Sequence, residues 1–465
     1  MTATPSPVAP VPHGNGKERS QHPDPGPRGP LGLIVAASLA AGLVLALLLA
    51  AAPFIPAQES RLTGAMLCGF ALGWGLLVVL SARFTDQPQW WALAPALFMG
   101  VCGLLLAGFG APIQAVLNWV WPPAVLVLAI WMFLRARRRL RSRAGRVLVY
   151  PVIVALALAS IGGGFETVSE VADARTYPMP GRLIDVGGHA LHLDCTGSGA
   201  PTIMLEPGAG LASSSMGWIA PDVAREARVC VYDRAGLGWS EPAGPAEAGR
   251  QVAADLHALL HRANVPGPYV LAGHSFGGLY VLSFAARYPD EVAGLVLVDS
   301  TAPNPAAQPA ATAPEGSGSS DIPDRLSALA STSARLGLVR LYAWSDYNTL
   351  PPRSRDEARA TAAKASQLRS TIDEYLHAGA AAREAAALAD FDHKPLAVLT
   401  AGSGNAPGWT EKQDALAKLS PNSVHRVVDG ATHASLLLDQ QDAAAVSRAI
   451  LDVVASVRDE APLAR

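Results

Sequence analysis

Charge is what this 465-residue chain has least of. Asp, Glu, Lys and Arg make up 16% of it, against about 25% in soluble domains. The deficit lies in the first third, which marks a membrane region followed by a soluble part. Net charge is −2, so no global basicity points to nucleic acid. Cysteine is scarce as well. The four residues include no C-x-x-C pair, which argues against a zinc ribbon or a thioredoxin-like redox site. The long apolar runs carry no Asp, Glu, Lys or Arg in their middles. Intramembrane ionisable groups usually mark transport routes, so an anchor is expected rather than a transporter.

Residues 1–30 are rich in Pro and Gly without apolar periodicity and read as a disordered tail. Five apolar runs follow, at about 31–52, 62–82, 90–110, 113–134 and 147–164. Each is near the roughly 20 residues that a bilayer requires. The first is too long and too well followed by others to be a signal peptide. Trp90, Trp91, Trp119 and Trp121 lie near run ends, where amphipathic rings prefer the interface. The basic stretch Arg135–Arg146 between the fourth and fifth runs is expected on the cytoplasmic side. That puts the N-terminus in the cytoplasm and everything after Gly164 on the outer face of the cell membrane.

After a connector at 165–180, strands alternate with helices. Apolar runs at 182–186, 189–195, 201–205, 228–232, 269–272 and 295–298 read as strands, with a helical spacing at 251–262. Such alternation means a mostly parallel sheet covered on both faces. Residues 301–320 read as irregular, and 322–388 as three or four helices without a strand. The sheet resumes at 396–400, with a helix near 411–419, a strand at 424–428 and a last helix at about 442–457. The division is therefore a first core part at 181–300, a helical cap at 301–394 and a second core part at 395–465.

At the centre of this pattern stands Val270-Leu-Ala-Gly-His-Ser-Phe-Gly-Gly278. Strand, G-x-S-x-G and helix form the context of a nucleophile elbow. A serine at the tip of so sharp a turn needs small neighbours two residues to either side, and Gly273 and Gly277 supply them. The turn lifts the Ser275 hydroxyl clear of the sheet and sets a helix N-terminus beside it. With this motif go Asp233–Ser240 after the fourth strand, Tyr288–Asp299, and Gly430-Ala-Thr-His433 near the end. Together they resemble the α/β-hydrolase family over about residues 177–458, in particular bacterial members with an N-terminal multi-span membrane region. The resemblance implies an eight-stranded sheet.

A serine hydroxyl is a weak nucleophile near neutral pH; it needs a base, and the base an orienting carboxylate. The order expected in this fold is Ser, acid, His. His433, in the loop after the last strand, is the expected base. The acid is open. Family members commonly carry it in the loop after the post-cap strand, where this chain has Thr400-Ala-Gly-Ser-Gly-Asn405 and an amide at the expected place. The alternative is Asp299, at the C-terminal end of the strand after the elbow, and it is the preferred assignment; Glu411 and Asp414 are remote options. The oxyanion donors are expected to be the N–H of Phe276, which follows the nucleophile, and by similarity that of Ala209 in Glu206-Pro-Gly-Ala-Gly210. Many relatives have His-Gly where this chain has Pro207-Gly208.

Other residues read as structural. His274 is the variable position of the motif, with its side chain expected to point away. His189, His192 and His425 lie on strands, and Asp233 with Arg234 is expected to hold a turn. Asp390, Asp392 and His393 read as a solvated hinge, so no metal or cofactor is expected. Cys195 and Cys230 fit either a disulfide or two buried thiols, while Cys68 and Cys102 lie within spans as packing residues. The expected activity is that of a membrane-anchored serine hydrolase of the esterase/lipase kind, acting on a small-molecule acyl substrate, with the lipid bilayer as partner and no nucleic acid. Two alternatives stand beside it. One is a non-catalytic binding or sensing module. The other is an aminopeptidase-type peptidase, which would need an acidic cap residue such as Asp373 or Glu374, both expected on a solvated helix face.

Overall fold

The structure, a computed structural model, describes residues 31–243, 248–307 and 322–463. The tail at 1–30 and most of the irregular stretch at 301–320 lie outside the described residues. Five long helices come first: α1 Leu31–Ala51, α2 Glu59–Phe84, α3 Leu93–Phe109, α4 Ala111–Arg139 and α5 Arg143–Thr176. A single 3-10 turn, Trp90–Ala92, leads into α3. All five, α3 taken together with its 3-10 turn, are long and apolar enough to cross a membrane.

Small residues set the packing of this bundle. Gly42 of α1 faces Gly73 of α2 so closely that an added Cβ would come 2.8 Å from the facing Cα. Gly69, one turn earlier in α2, sits as tightly on Ala46. Lipid tails are as apolar as leucine, so helices in a bilayer gain by close backbone approach rather than by apolar burial. The fourth and fifth helices overshoot their apolar runs. α4 takes in Arg135–Arg139, and only residues 140–142 separate it from α5. α5 continues through most of the expected connector, because Glu166, Glu170 and Asp173 carry it out of the apolar zone and two of them find a cation there.

The sheet has eight strands among the described residues: β1 Arg182–Asp185, β2 Ala190–Thr196, β3 Thr202–Glu206, β4 Val229–Tyr232, β5 Tyr269–His274, β6 Val292–Val298, β7 Leu396–Ala401 and β8 Ser423–Val428. Their order is β1-β2-β4-β3-β5-β6-β7-β8. β1, β2 and β4 pair antiparallel, and the strands from β4 to β8 are parallel. Cys195 and Cys230 stand opposite each other on β2 and β4 and form a disulfide. Within each central strand alternate residues serve two cores. Met204, Leu271 and Leu297 point to one, with α7 Ala248–Arg262 and α8 Phe276–Arg287; Ile203, Val270 and Val296 point to the other, with α6 Ile219–Val223 and α16 Gln440–Asp459. Both faces are covered, which is why these strands read as continuous apolar runs.

The cap holds five helices among the described residues, one or two more than the sequence pattern suggests: α9 Ile322–Arg335, α10 Leu338–Ala343, α11 Pro352–Ala362, α12 Ala365–Leu376 and α13 Ala378–Ala385. Gly337 at φ 76 divides α9 from α10, and Lys364 in extended backbone divides α11 from α12. The second core part adds α14 Trp409–Ala417 and α15 Ser435–Leu438.

Cap and helical bundle meet through arginines. Arg340 of α10 is buried on a bidentate pair with Glu166 of α5 (2.7 and 2.8 Å) and reaches Asp173 at 2.6 Å. Arg335 of α9 pairs with Glu59 at the start of α2. A buried carboxylate that loses its guanidinium partner is left uncompensated, at a cost of about 3–5 kcal/mol. Arg340→Ala should therefore lower the unfolding temperature of the detergent-solubilised protein and open the cap to limited proteolysis. The double variant Arg340→Met/Glu166→Leu should regain most of the loss. A single variant as stable and as protease-resistant as the wild type would show that the pair does not hold the cap.

Candidate active site

β5 ends at His274, and Ser275 follows at φ 54, ψ −122, a region that non-glycine residues rarely occupy. The strain is held from three sides. Ser275 N–H donates to Val298 O (3.1 Å), and its carbonyl accepts from the N–H groups of Gly278 and Thr301, both at 3.0 Å. The flanking glycines are required by space. A Cβ on Gly273 would come 2.6 Å from Gly277 O, and one on Gly277 would collide with Glu206 O. The hydroxyl is thus presented at the start of α8 by backbone contacts alone.

β6 ends one residue before Asp299, which also has positive φ (44). Its N–H donates to Leu399 O at 2.7 Å. Its carboxylate is buried and receives three bonds: Oδ1 from Ala401 N–H (3.1 Å) and Trp409 Nε1–H (2.7 Å), and Oδ2 from His433 Nδ1 at 2.6 Å. Burial pushes this carboxyl up, but the bonds from His433, Trp409 and Ala401 outweigh it and hold it below its ordinary value. Of the acids left open by the sequence, Asp299 is the one brought to His433. Asn405 turns its amide inward, donating to Ala401 O. Asp414 pairs with His425.

His433 lies over the elbow in the loop after β8, half-exposed. Its carbonyl accepts from His274 Nε2 at 2.9 Å, and the two rings lie 4.6 Å apart. This corrects the expectation that His274 points away. Complete burial, with His433 adjacent, pushes the imidazole of His274 down to about 3. It stays neutral and acts as a prop for the His433 loop. Among the described residues, no hydrogen bond joins His433 Nε2 to Ser275 Oγ. Such bonds are often long in unliganded sites.

The loop after β3 lies against the serine. A Cβ on Gly208 would come 3.1 Å from Ser275 Cβ. Arg234 holds this loop, donating to Pro207 O (2.9 Å) and Gly208 O (2.8 Å). The same guanidinium pairs with Glu206 (2.5 Å) and with Glu374 of α12 (2.5 Å). Glu374 in turn accepts from Gly210 N–H at 2.7 Å, and Gln367 donates to Gly210 O at 2.7 Å. Among the described residues, the N–H groups of Ala209 and Phe276 donate to no protein acceptor.

Two expectations change here. Arg234 organises the loop by the serine rather than its own turn. That turn is held by Asp233, which accepts from Ser213 N–H and Trp239 N–H and pairs with His192. Glu374 is not on a solvated face but belongs to this buried network. Two carboxylates share one guanidinium, and burial pushes Glu206 up to about 7 against the pull of Arg234; Tyr232 OH donates to its second oxygen. Asp373 is also engaged, accepting from Ser327 Oγ at 2.6 Å. Sequence reasoning missed Trp409, His274 and Glu374, whose roles depend on partners far along the chain.

Asp299 carries an acid-stability consequence. Its folded value lies below its unfolded one, so the unfolded chain takes up the proton first as pH falls. The stabilisation is complete above the ordinary carboxylate value and is lost as pH falls through the depressed folded value. The difference in unfolding temperature between wild type and Asp299→Asn should therefore shrink steadily on acidification below about pH 4. A constant difference down to pH 2 would show that the carboxylate contributes nothing through ionisation.

Comparison with known proteins agrees with this architecture. The family profile described as alpha/beta hydrolase fold matches residues 201–440, more than half of the chain. The chain is 32% identical over 125 residues to the 2-hydroxymuconate semialdehyde hydrolase of Pseudomonas sp. (strain CF600), covering 26% of this chain and 44% of that one. It is 44% identical over 82 residues to an uncharacterized protein of Schizosaccharomyces pombe, 18% of this chain and 15% of that one. The chain thus spans less than half the length of these curated relatives. A thermophilic esterase from Thermogutta terrifontis superposes with a TM-score of 0.43 at 22% identity, covering 58% of this chain and 94% of that one. By the extent of the family match, the chain belongs to the α/β-hydrolase fold family.

Proposed function

We propose that this protein is a membrane-anchored serine hydrolase that cleaves an ester or related acyl bond. The observation that carries the reading is the Asp299–His433 bond at 2.6 Å beside the strained Ser275. In this reading Ser275 Oγ attacks the acyl carbonyl carbon and its proton passes to His433 Nε2. The oxyanion is met by Phe276 N–H and Ala209 N–H, two donors that no acceptor among the described residues uses. The carbon–oxygen bond to the leaving alcohol breaks, and the alcohol takes the proton from His433. Water then adds to the acyl-serine carbonyl carbon, giving a proton to His433; the bond to Ser275 Oγ breaks, Oγ takes that proton back, and the acid is released. Asp299 keeps the Nδ1–H tautomer in place throughout and stabilises the imidazolium.

The same geometry weakens the peptidase alternative. Glu374 is spent on Arg234 and Gly210, and Asp373 on Ser327, so neither is free for a substrate amine. Placement outside the cytoplasm is likewise our reading. It is supported by the basic stretch at the end of the bundle opposite the cap, and by the Cys195–Cys230 disulfide, since such bonds persist in oxidising compartments.

Labelling of isolated membranes with a fluorophosphonate tests the reading. Wild type should label, while Ser275→Ala and His433→Ala should not. Absence of labelling in folded wild type would leave the non-catalytic module as the better account. Asp299→Asn is a sharper test. Ala401 N–H and Trp409 Nε1–H would hold the new amide oxygen at the Oδ1 position. The amide NH2 would then face His433 and force the wrong tautomer. A fall in kcat of about 10⁴ is expected on any hydrolysed ester; a change under tenfold would remove Asp299 from the mechanism.

Glu374→Ala should release the loop carrying Ala209 from the cap while Arg234 keeps Glu206. Loss of bonds to charged groups of about 1.5–3 kcal/mol corresponds to a kcat reduced roughly 10- to 100-fold. KM for a small ester should be little changed. An unchanged kcat would show that the loop holds its geometry without the cap.

A further inference from the structure

Cap and bundle are joined at a level where lipid must be close. The apolar stretch of α5 ends at Phe165, and Glu166, Glu170 and Asp173 follow. Against this last apolar turn lies α10. The backbone of Leu336 rests directly on Gly162, and Trp344 stacks edge-on to Phe165 with centroids 5.9 Å apart. Arg340 then reaches past it to Glu166 and Asp173. α9 rests on the same end of the bundle. Arg325 donates to Ala50 O (2.9 Å) at the end of α1 and to Ile55 O (2.6 Å) in the turn after it, and Arg335 meets Glu59. Arg369 of α12 donates to Ala57 O at 3.1 Å.

These helices leave an apolar surface uncovered. Ile322, Leu326, Leu338, Leu341, Tyr342 and Trp344 are each more than half exposed. In a water-facing cap such a cluster would be costly. Here it adjoins the last apolar turns of α5, through Gly162 and Phe165, and Leu158 and Ile161 of those turns are more than half exposed as well. Leucines with Tyr, Trp and Arg at one level are the composition of a membrane–water interface. A face at that height beside a spanning helix meets lipid headgroups and the adjoining ends of the acyl chains. The surface also connects to the site. α12 packs on α9 and carries Tyr375, itself exposed, whose ring lies 5.3 Å from that of Phe276, the residue after Ser275.

We propose that the cap helices α9 and α10 lie in the bilayer interface and that the substrate is an acyl ester dissolved in that bilayer, its chain passing along the apolar cap face to Ser275. The assignment rests on the serine-hydrolase reading and names the substrate class of that same site. Attack by Ser275 then transfers the acyl group as above, with water as the second reactant and a fatty acid and an alcohol as products.

The test uses the full chain in phosphatidylcholine vesicles and two esters of one leaving group. 4-Methylumbelliferyl butyrate is presented in water, and 4-methylumbelliferyl palmitate is dissolved in the vesicles. Leu338→Ser/Leu341→Ser/Tyr342→Ser removes three exposed apolar side chains and no core contact. The variant should lose at least about tenfold in kcat/KM on the palmitate and stay within about twofold on the butyrate. Equal effects on both esters, or none on either, would overturn the inference while leaving the hydrolase reading intact. Absence of turnover of both esters by wild type would defeat the hydrolase reading and the substrate assignment together.

A second readout is independent of activity. An NBD dye on Tyr342→Cys, in a chain with Cys68→Ala and Cys102→Ala, should be quenched by spin-labelled lipid carrying its nitroxide near the headgroups. A dye quenched only by a water-soluble agent would place α10 in solvent and overturn the inference.

Discussion

Arg234 is the residue on which the separate parts of this molecule meet. Its guanidinium is buried, and isolating such a charge costs several kcal/mol unless it is paired and hydrogen-bonded. It binds the carboxylate at the end of β3, two carbonyls of the loop beside Ser275, and a carboxylate from the cap. None of these partners can leave without exposing a buried charge, so sheet, loop and cap are held in one arrangement.

The same device appears at the other side of the cap. Arg325, Arg335 and Arg340 reach backbone carbonyls and acids at one end of the five-helix bundle. Through α12 the bundle is therefore coupled to the loop that carries Ala209. Among the described residues, the sheet and its flanking helices touch the five-helix bundle less than the cap does. The bundle contacts the cap, and the cap contacts the loop.

Much of this was legible in the residues. The five apolar runs locate α1–α5 because hydrocarbon selects for composition over about 20 residues, a signal that survives loss of detail. Ser275 was legible because the sharp turn needs Gly273 and Gly277 within the same short stretch. The strand pattern was legible because burial on both faces leaves unbroken apolar runs. The helix ends were less so: α4 and α5 overshoot their runs, since charged residues are good helix formers once a helix has begun. Cap helices were miscounted because Lys364 is no breaker by composition. Gly69 and Gly73 could have been read as a packing face of α2 by their four-residue spacing.

Local chemistry is written in local sequence. The elbow, the spans, the strand alternation and the His433 loop each depend on residues within a few positions of one another, so the chain alone determined them. Which carboxylate meets His433, whether Cys195 bonds Cys230, and what Glu374 does depend on residues 134, 35 and 140 positions apart. Their types were visible but their partners were not. Electrostatic and covalent pairing act through space over a few ångströms, and only the tertiary structure decides which groups come that close.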